Sequence, residues 1–146
     1  MPYRWLEDIA IADAAFEAWA STPEELLAEA GEAVLEVMAG DPGRVDRRVR
    51  RDVSLDDSPD LLMVRLLEAQ LWHKDAEQLL LHLGPLTLAQ SPGGEGDHWS
   101  ATAELWGERI DPARHDGVDV KAVTLHRLFL GRGDDGIWRA RFVLDV

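Results

Sequence analysis

The spacing of apolar positions changes several times along this chain, and each change marks an element. Tyr3 to Leu6 is apolar and aromatic. From Ala14 to Trp19, Ala14, Phe16 and Ala18 alternate with Ala15, Glu17 and Trp19, which predicts a strand starting at Asp13, weakened by its alanines. Thr22-Pro23-Glu24-Glu25 then reads as a capping box with proline at the first helical position, where its missing N–H is no loss. The helix it opens runs to about Met38, burying Leu26, Leu27, Ala30, Val34, Val37 and Met38, and Gly40 ends it. A second strand is predicted from Val45 to Leu55. Asp56-Asp57-Ser58-Pro59 repeats the start signal, with Ser58 as N-cap, for a helix to about His73. Leu61 to Trp72 is apolar around more than half its circumference, so this second helix is expected to be the central buried one.

Shorter periods follow. Leu79 to Leu88, broken by Gly84-Pro85, reads as a turn and a short strand, and Ser91 to Gly96 as a surface loop. Trp99, Ala101, Ala103 and Leu105 alternate with Ser100, Thr102, Glu104 and Trp106 as another strand, and Asp111 to Gly117 is a polar connection. From Val118 to Val146 the chain reads as a hairpin: Val118, Val120, Ala122, Thr124, His126, Leu128 and Leu130 form one alternating set, and Trp138, Ala140, Phe142, Leu144 and Val146 the other. The order is β-α-β-α followed by several antiparallel strands. That predicts an α+β domain, two helices packed on a mainly antiparallel sheet, and excludes a doubly wound parallel sheet. The 146 residues, 1–146, form a single domain, large enough to bury about two thirds of the unfolded surface.

Composition narrows the function classes. No run of eighteen apolar residues and no charged-then-apolar leader is present, so a soluble, cytoplasmic protein is expected. The absence of cysteine removes disulfides, thiolate metal sites and cysteine nucleophiles. A net charge of −13 opposes direct nucleic-acid binding, which needs a basic face. It also favours a monomer or weak oligomer. Arg44, Arg47, Arg48, Arg50 and Arg51 form the basic cluster that stands out. They read either as a docking patch for an acidic surface or a phosphate, or as the solvated face and rim of a strand whose other face carries Val49, Val53 and Leu55.

Enzyme motifs fail one after another. Gly131-Arg-Gly133-Asp-Asp-Gly136 fits a dinucleotide fingerprint by letter, but a strand follows where a helix N-terminus is required, so it is a hairpin loop. Histidines 73, 82, 98, 115 and 126 lack zinc spacing, and no serine sits in a nucleophile elbow. What remains is carboxylate chemistry. If the first and last strands are neighbours, Glu7, Asp8 and Asp13 come close to Asp145; otherwise they are solvated acids at strand ends. Asp145 and the carboxylate of Val146 would then be held one residue apart at a strand end, oxygen groups of the kind hard cations such as Ca²⁺ accept. His126 shares a parity with Ala122, Leu128 and Leu130 and is expected to be half-buried, while Lys121 faces the other way as a surface cation.

Lys121-Ala122-Val123-Thr124-x-His126, followed by a last strand ending Phe142-x-x-Asp145-Val146, resembles the archease family. So do Tyr3-Arg4-Trp5-Leu6-Glu7, Ala12-Asp13 with Phe16 to Trp19, Thr22-x-Glu24-Glu25, and Ile110-Asp111-Pro112-x-x-His115. The resemblance covers nearly the whole chain. It implies an archease-like fold and a non-catalytic accessory protein that activates an RtcB-type, GTP-dependent RNA ligase in tRNA splicing or RNA repair, promoting guanylylation and repeated turnover. By position it also implies a metal ion, Ca²⁺ or another hard divalent cation, on Asp13, Asp145 and Val146. One departure is plain: where the family has Asp-His-Thr-Ala-Asp, this chain has Glu7-Asp8-Ile9-Ala10-Ile11-Ala12-Asp13, without the His-Thr pair; read as two residues longer it matches from Asp13 to Ala30 without a gap, whereas a register running straight from Tyr3 sets Ile11 on the metal-binding position. The alternative reading of the whole chain is a small chaperone-like protein-binding module with no ligase partner.

Overall fold

The computed structural model describes residues 2–6, 13–93 and 96–146. Its elements are β1 (Tyr3–Leu6), β2 (Asp13–Ala20), α1 (Pro23–Ala39), a 3-10 turn (Pro42–Arg44), β3 (Val49–Asp57), α2 (Pro59–Glu77), β4 (Leu79–Gly93), β5 (Gly96–Arg109), β6 (Ala122–Arg132) and β7 (Trp138–Asp145). The α+β class stands. The strands divide into two antiparallel sheets rather than one, ordered β1-β2-β7-β6 and β3-β5-β4, and both helices touch strands of both sheets.

The first helix follows its start signals. Thr22 caps it, its Oγ1 accepting the Glu25 N–H at 3.2 Å, and Gly40 ends it at φ 82°, a conformation that favours glycine. Its acidic side takes Tyr3, whose phenol is pushed well above its usual range by burial and by its hydrogen bond to Glu36. Gln70 of α2, fully buried, donates from Nε2 to the Gly31 and Leu81 carbonyls at 3.0 and 2.9 Å, joining α1, α2 and β4. α2 runs to Glu77, beyond the expected end. It is not the more buried helix: α1 buries ten residues and α2 eight, because Leu61, Arg65, Glu68 and Trp72 line an exposed stripe of α2. Ser58 occupies the N-cap position, but its hydroxyl turns to Asp60 at 3.1 Å.

Three strand expectations are corrected. β3 begins at Val49, since Asp41 caps the intervening turn through a 2.9 Å bond to the Gly43 N–H. Leu79 onward is one strand of fifteen residues, and it absorbs Gly84-Pro85 as a register slip between Leu83 and Leu86. β4 is a sheet edge, so the backbone N–H that proline lacks is not missed by a neighbour. Ser91–Gly93 and Gly96 belong to the β4–β5 pairing rather than to a loop. The tips of that hairpin and residues 7–12 lie outside the described residues, and with them Glu7 and Asp8.

The C-terminal hairpin forms as expected around the turn at Gly133–Gly136. Its parity does not hold along β6. Thr124 pairs with Val143 and Phe129 with Arg141, so four residues, 125–128, oppose the single Phe142. Val123 is the buried core residue before this bulge, Leu128 and Leu130 pack on the core after it, and Ala122 and His126 are exposed. The uniform alternation read from Val118 to Leu130 thus spans two registers, and His126, expected to be half-buried, is an exposed bulge residue.

Candidate functional site at the β2–β7 strand ends

β2 and β7 are adjacent and antiparallel, and their register sets Asp13 directly opposite Asp145. Directly opposed residues share a sheet face, with Cβ atoms about 4.5–5.5 Å apart. Ala14, Phe16 and Ala18 with Leu144, Phe142 and Ala140 take the core face. Asp13 and Asp145, both half-buried, therefore project from the other. The sequence places these acids 132 positions apart, and the β2–β7 pairing brings them together.

The rest of that face shows why the pair is unusual. Glu17 lies opposite Arg141 on one side and Arg4 on the other, with Arg4 Nη2 3.4 Å from its carboxylate. Asp13–Asp145 breaks this complementarity, being a like-charge pair in direct opposition, which is destabilising by itself. Among the described residues neither side chain has a hydrogen bond or ion pair. The donors are oxygen only, which fits a hard cation and not zinc or copper. Among the described residues no three His, Asp or Glu side chains gather as a metal cluster, so the set is two aspartates plus the oxygens of neighbouring Val146.

The support is rigid. The Lys121 N–H donates to the Asp145 carbonyl at 2.7 Å, the Val118 N–H to Val37 O at 2.8 Å and the Asp116 N–H to Ala39 O at 3.1 Å, so residues 116–121 satisfy both the end of α1 and the end of β7. Lys74 of α2, 6% exposed, bonds Asp119 and the Val120 carbonyl and lies 3.0 Å from Asp75. His115 and Glu108 hold the preceding connection. The Asp111 N–H donates to His115 Nδ1 at 2.9 Å, leaving Nε2–H to face Glu108 at 3.2 Å and Arg44 O at 3.1 Å. Ile110-Asp111-Pro112-x-x-His115 is therefore a folded clasp.

Three of the five arginines of the basic cluster are absorbed into the rim. Arg48 reaches Asp46 and Glu108, Arg50 reaches Asp52 and Glu104 and lies 5.8 Å from the Trp106 ring centre, and Arg51 reaches Glu77 at 2.9 Å. Arg51 shares the parity of Val49 and Val53 rather than the outer face. Seven cations lack a carboxylate partner among the described residues: Arg44 and Arg47 of that cluster, Arg109, and Lys121, Arg127, Arg132 and Arg141 in the C-terminal hairpin or its entry. Averaging over the whole chain hid the last four. A window count finds them, since residues 121–146 carry five Lys or Arg against three Asp, a formal +2, leaving −15 on the remainder.

No helix among the described residues is long and apolar enough to cross a membrane. Compared with known proteins, residues 3–146 match the model of the Archease protein family. "Protein archease" of Methanopyrus kandleri is 33% identical over 148 aligned positions, covering 100% of both chains, and that of Aeropyrum pernix is 31% identical over 97% of this chain and 96% of its own. The solution structure of Methanobacterium thermoautotrophicum protein 1598 superposes with a TM-score of 0.72 at 28% identity, covering 99% of each chain.

Proposed function

The chain belongs to the archease family, and from that premise we propose that it is a metal-binding accessory protein that activates an RtcB-type, GTP-dependent RNA ligase in tRNA splicing or RNA repair. The observation that carries this reading is the register pairing of Asp13 with Asp145.

Asp13, Asp145 and the oxygens of Val146 hold the ion, Ca²⁺ or another hard divalent cation. When bound, it supplies positive charge and open positions for oxygen groups at an otherwise acidic end. The two aspartates orient that end, and the clasp of Lys74, residues 116–121 and β7 keeps it in place when a partner docks. The acidity of the chain suits contact with a basic RNA-handling enzyme, steering association and rejecting like-charged partners. The protein promotes guanylylation and repeated turnover of the ligase without contributing a nucleophile.

The test is a ligation assay with the cognate ligase in excess RNA. Wild-type protein is expected to convert a single-turnover ligase to multiple turnover, and Asp145→Ala to abolish this while still folding. Binding to the ligase with no change in turnover would favour the chaperone-like module instead.

A further inference from the structure

The hairpin that bears Asp145 also carries an exposed aromatic beside unpaired cations, and the archease reading does not use it. Phe129 is 51% exposed, on the face opposite the core, directly across from Arg141. Its ring leans along β6 over Gly131, where an added Cβ would come within 3.0 Å of the ring tip, so the glycine leaves the space the ring occupies. Arg127, in the bulge just before it at φ 55°, has no carboxylate partner among the described residues, and Arg141, exposed on β7, lies opposite Glu17 without a short ion pair to it. Net charge argues against RNA for the chain as a whole, but this hairpin carries a formal +2; the other basic stretch, residues 44–51, spends three of its five arginines on ion pairs.

We propose that Phe129, Arg127 and Arg141 form a contact site for single-stranded RNA, with a base stacked on the ring and the two guanidiniums on the adjoining phosphates. Unsequestered cations next to an exposed ring on a sheet surface are the combination that non-specific single-strand binders use. An acidic peptide is the rival occupant of the same charge. The bulge at 125–128 interrupts the free edge of β6, so a peptide has no continuous ladder to extend there, whereas a stacked base needs none. The platform and the acid pair share one sheet face, with Arg141 and Asp145 four residues apart on β7, roughly 13 Å. This site needs no ligase, so it stands or falls apart from the accessory role proposed above.

Fluorescence anisotropy with a short labelled oligouridylate and the full chain tests it. Binding is expected at about 50 mM salt and is lost steeply towards 200 mM. Phe129→Ala weakens it about tenfold, within the range that stacking one base supplies. Phe129→Leu, which keeps an apolar side chain and so guards against misfolding, weakens it similarly, and Arg127→Ala and Arg141→Ala each lower the salt slope by about one. No binding at low salt, or binding that both Phe129 variants leave unchanged, overturns the proposal. So does Phe129-dependent capture of an acidic peptide by a protein that ignores the RNA. Asp145→Ala, which disables the acid pair, is expected to keep the RNA contact.

Discussion

Replacing Asp145 by asparagine separates a cation site from a pair of solvated acids, because the two readings predict opposite signs under two conditions. Without a cation, Asp13 and Asp145 face each other across β2 and β7 with no counter-ion among the described residues. Two unit charges about 5 Å apart in a nearly aqueous dielectric repel by about 0.8 kcal/mol, inside the range of 0.2–1 kcal/mol usual for cross-strand pairs. Asparagine keeps the shape and removes the repulsion. In EDTA, Asp145→Asn should therefore melt up to about 4 °C higher than wild type, at roughly 2–4 °C per kcal/mol for a chain of this size. With Ca²⁺ at about a hundred times its dissociation constant, wild type gains about 2.7 kcal/mol. That corresponds to roughly 5–11 °C, and the variant gains almost none of it. The order of melting points inverts between the two buffers, as read by calorimetry with sodium chloride matched for ionic strength. A variant less stable than wild type in EDTA, or one that gains as much from calcium as wild type does, refutes the argument.

Other consequences concern the frame. The hydrogen bonds from Arg51 and then His73 hold the Glu77 carboxyl down from 4.5 to about 2; a depressed folded pKa stabilises fully above the unfolded value and is lost as pH falls through the folded one. Urea midpoints of wild type and Glu77→Gln should thus differ near neutral pH and converge between pH 4.5 and about 2. Gly31→Ala would set a Cβ 2.5 Å from the Leu83 Cβ; overpacking of about 1–3 kcal/mol outweighs a helix-propensity gain of about 1 kcal/mol, giving a net loss measurable by denaturant unfolding. Lys74→Met keeps the buried stem but strands the Val120 carbonyl, costing about 1–3 kcal/mol. It should also speed hydrogen exchange at the Lys121 amide.

What could be read from the sequence depended on the range of the forces involved. α1 was legible to within a residue at its C-terminal end, since its cap, its proline and its terminating glycine are all local. β7 was legible because Phe142 and Leu144 alternate with Arg141 and Val143 without interruption. β6 was not, because a bulge is set by which residues of the partner strand must face the core, and that is decided across the hairpin. The same blindness put β4 in two pieces: a proline ends a strand only if a neighbour needs an N–H at its position, and strand order is a tertiary fact. For the candidate site, residue identities came from resemblance and their meeting from the guess that the first and last strands adjoin. Register supplied what neither could give, the direct opposition of the two carboxylates.

The placement of that opposition follows from how the elements are closed off. An α-helix leaves its last carbonyls unpaired, and here those of α1 at Val37 and Ala39 are taken by the chain entering β6. The same six residues bring Asp119 and the Val120 carbonyl to the buried ammonium of Lys74 and the Lys121 N–H to Asp145. Satisfying the end of α1 and the buried ammonium of Lys74 on α2 thus fixes the backbone that carries one carboxylate, and the β2–β7 ladder then fixes the other. A site held this way cannot relax its repulsion by drifting apart without unpairing a strand or exposing a helix end, either of which costs more than about 1 kcal/mol. A cation bound between the two carboxylates would relieve the repulsion with the fold left intact, which is why the proposed occupancy and the melting-point inversion stand or fall together.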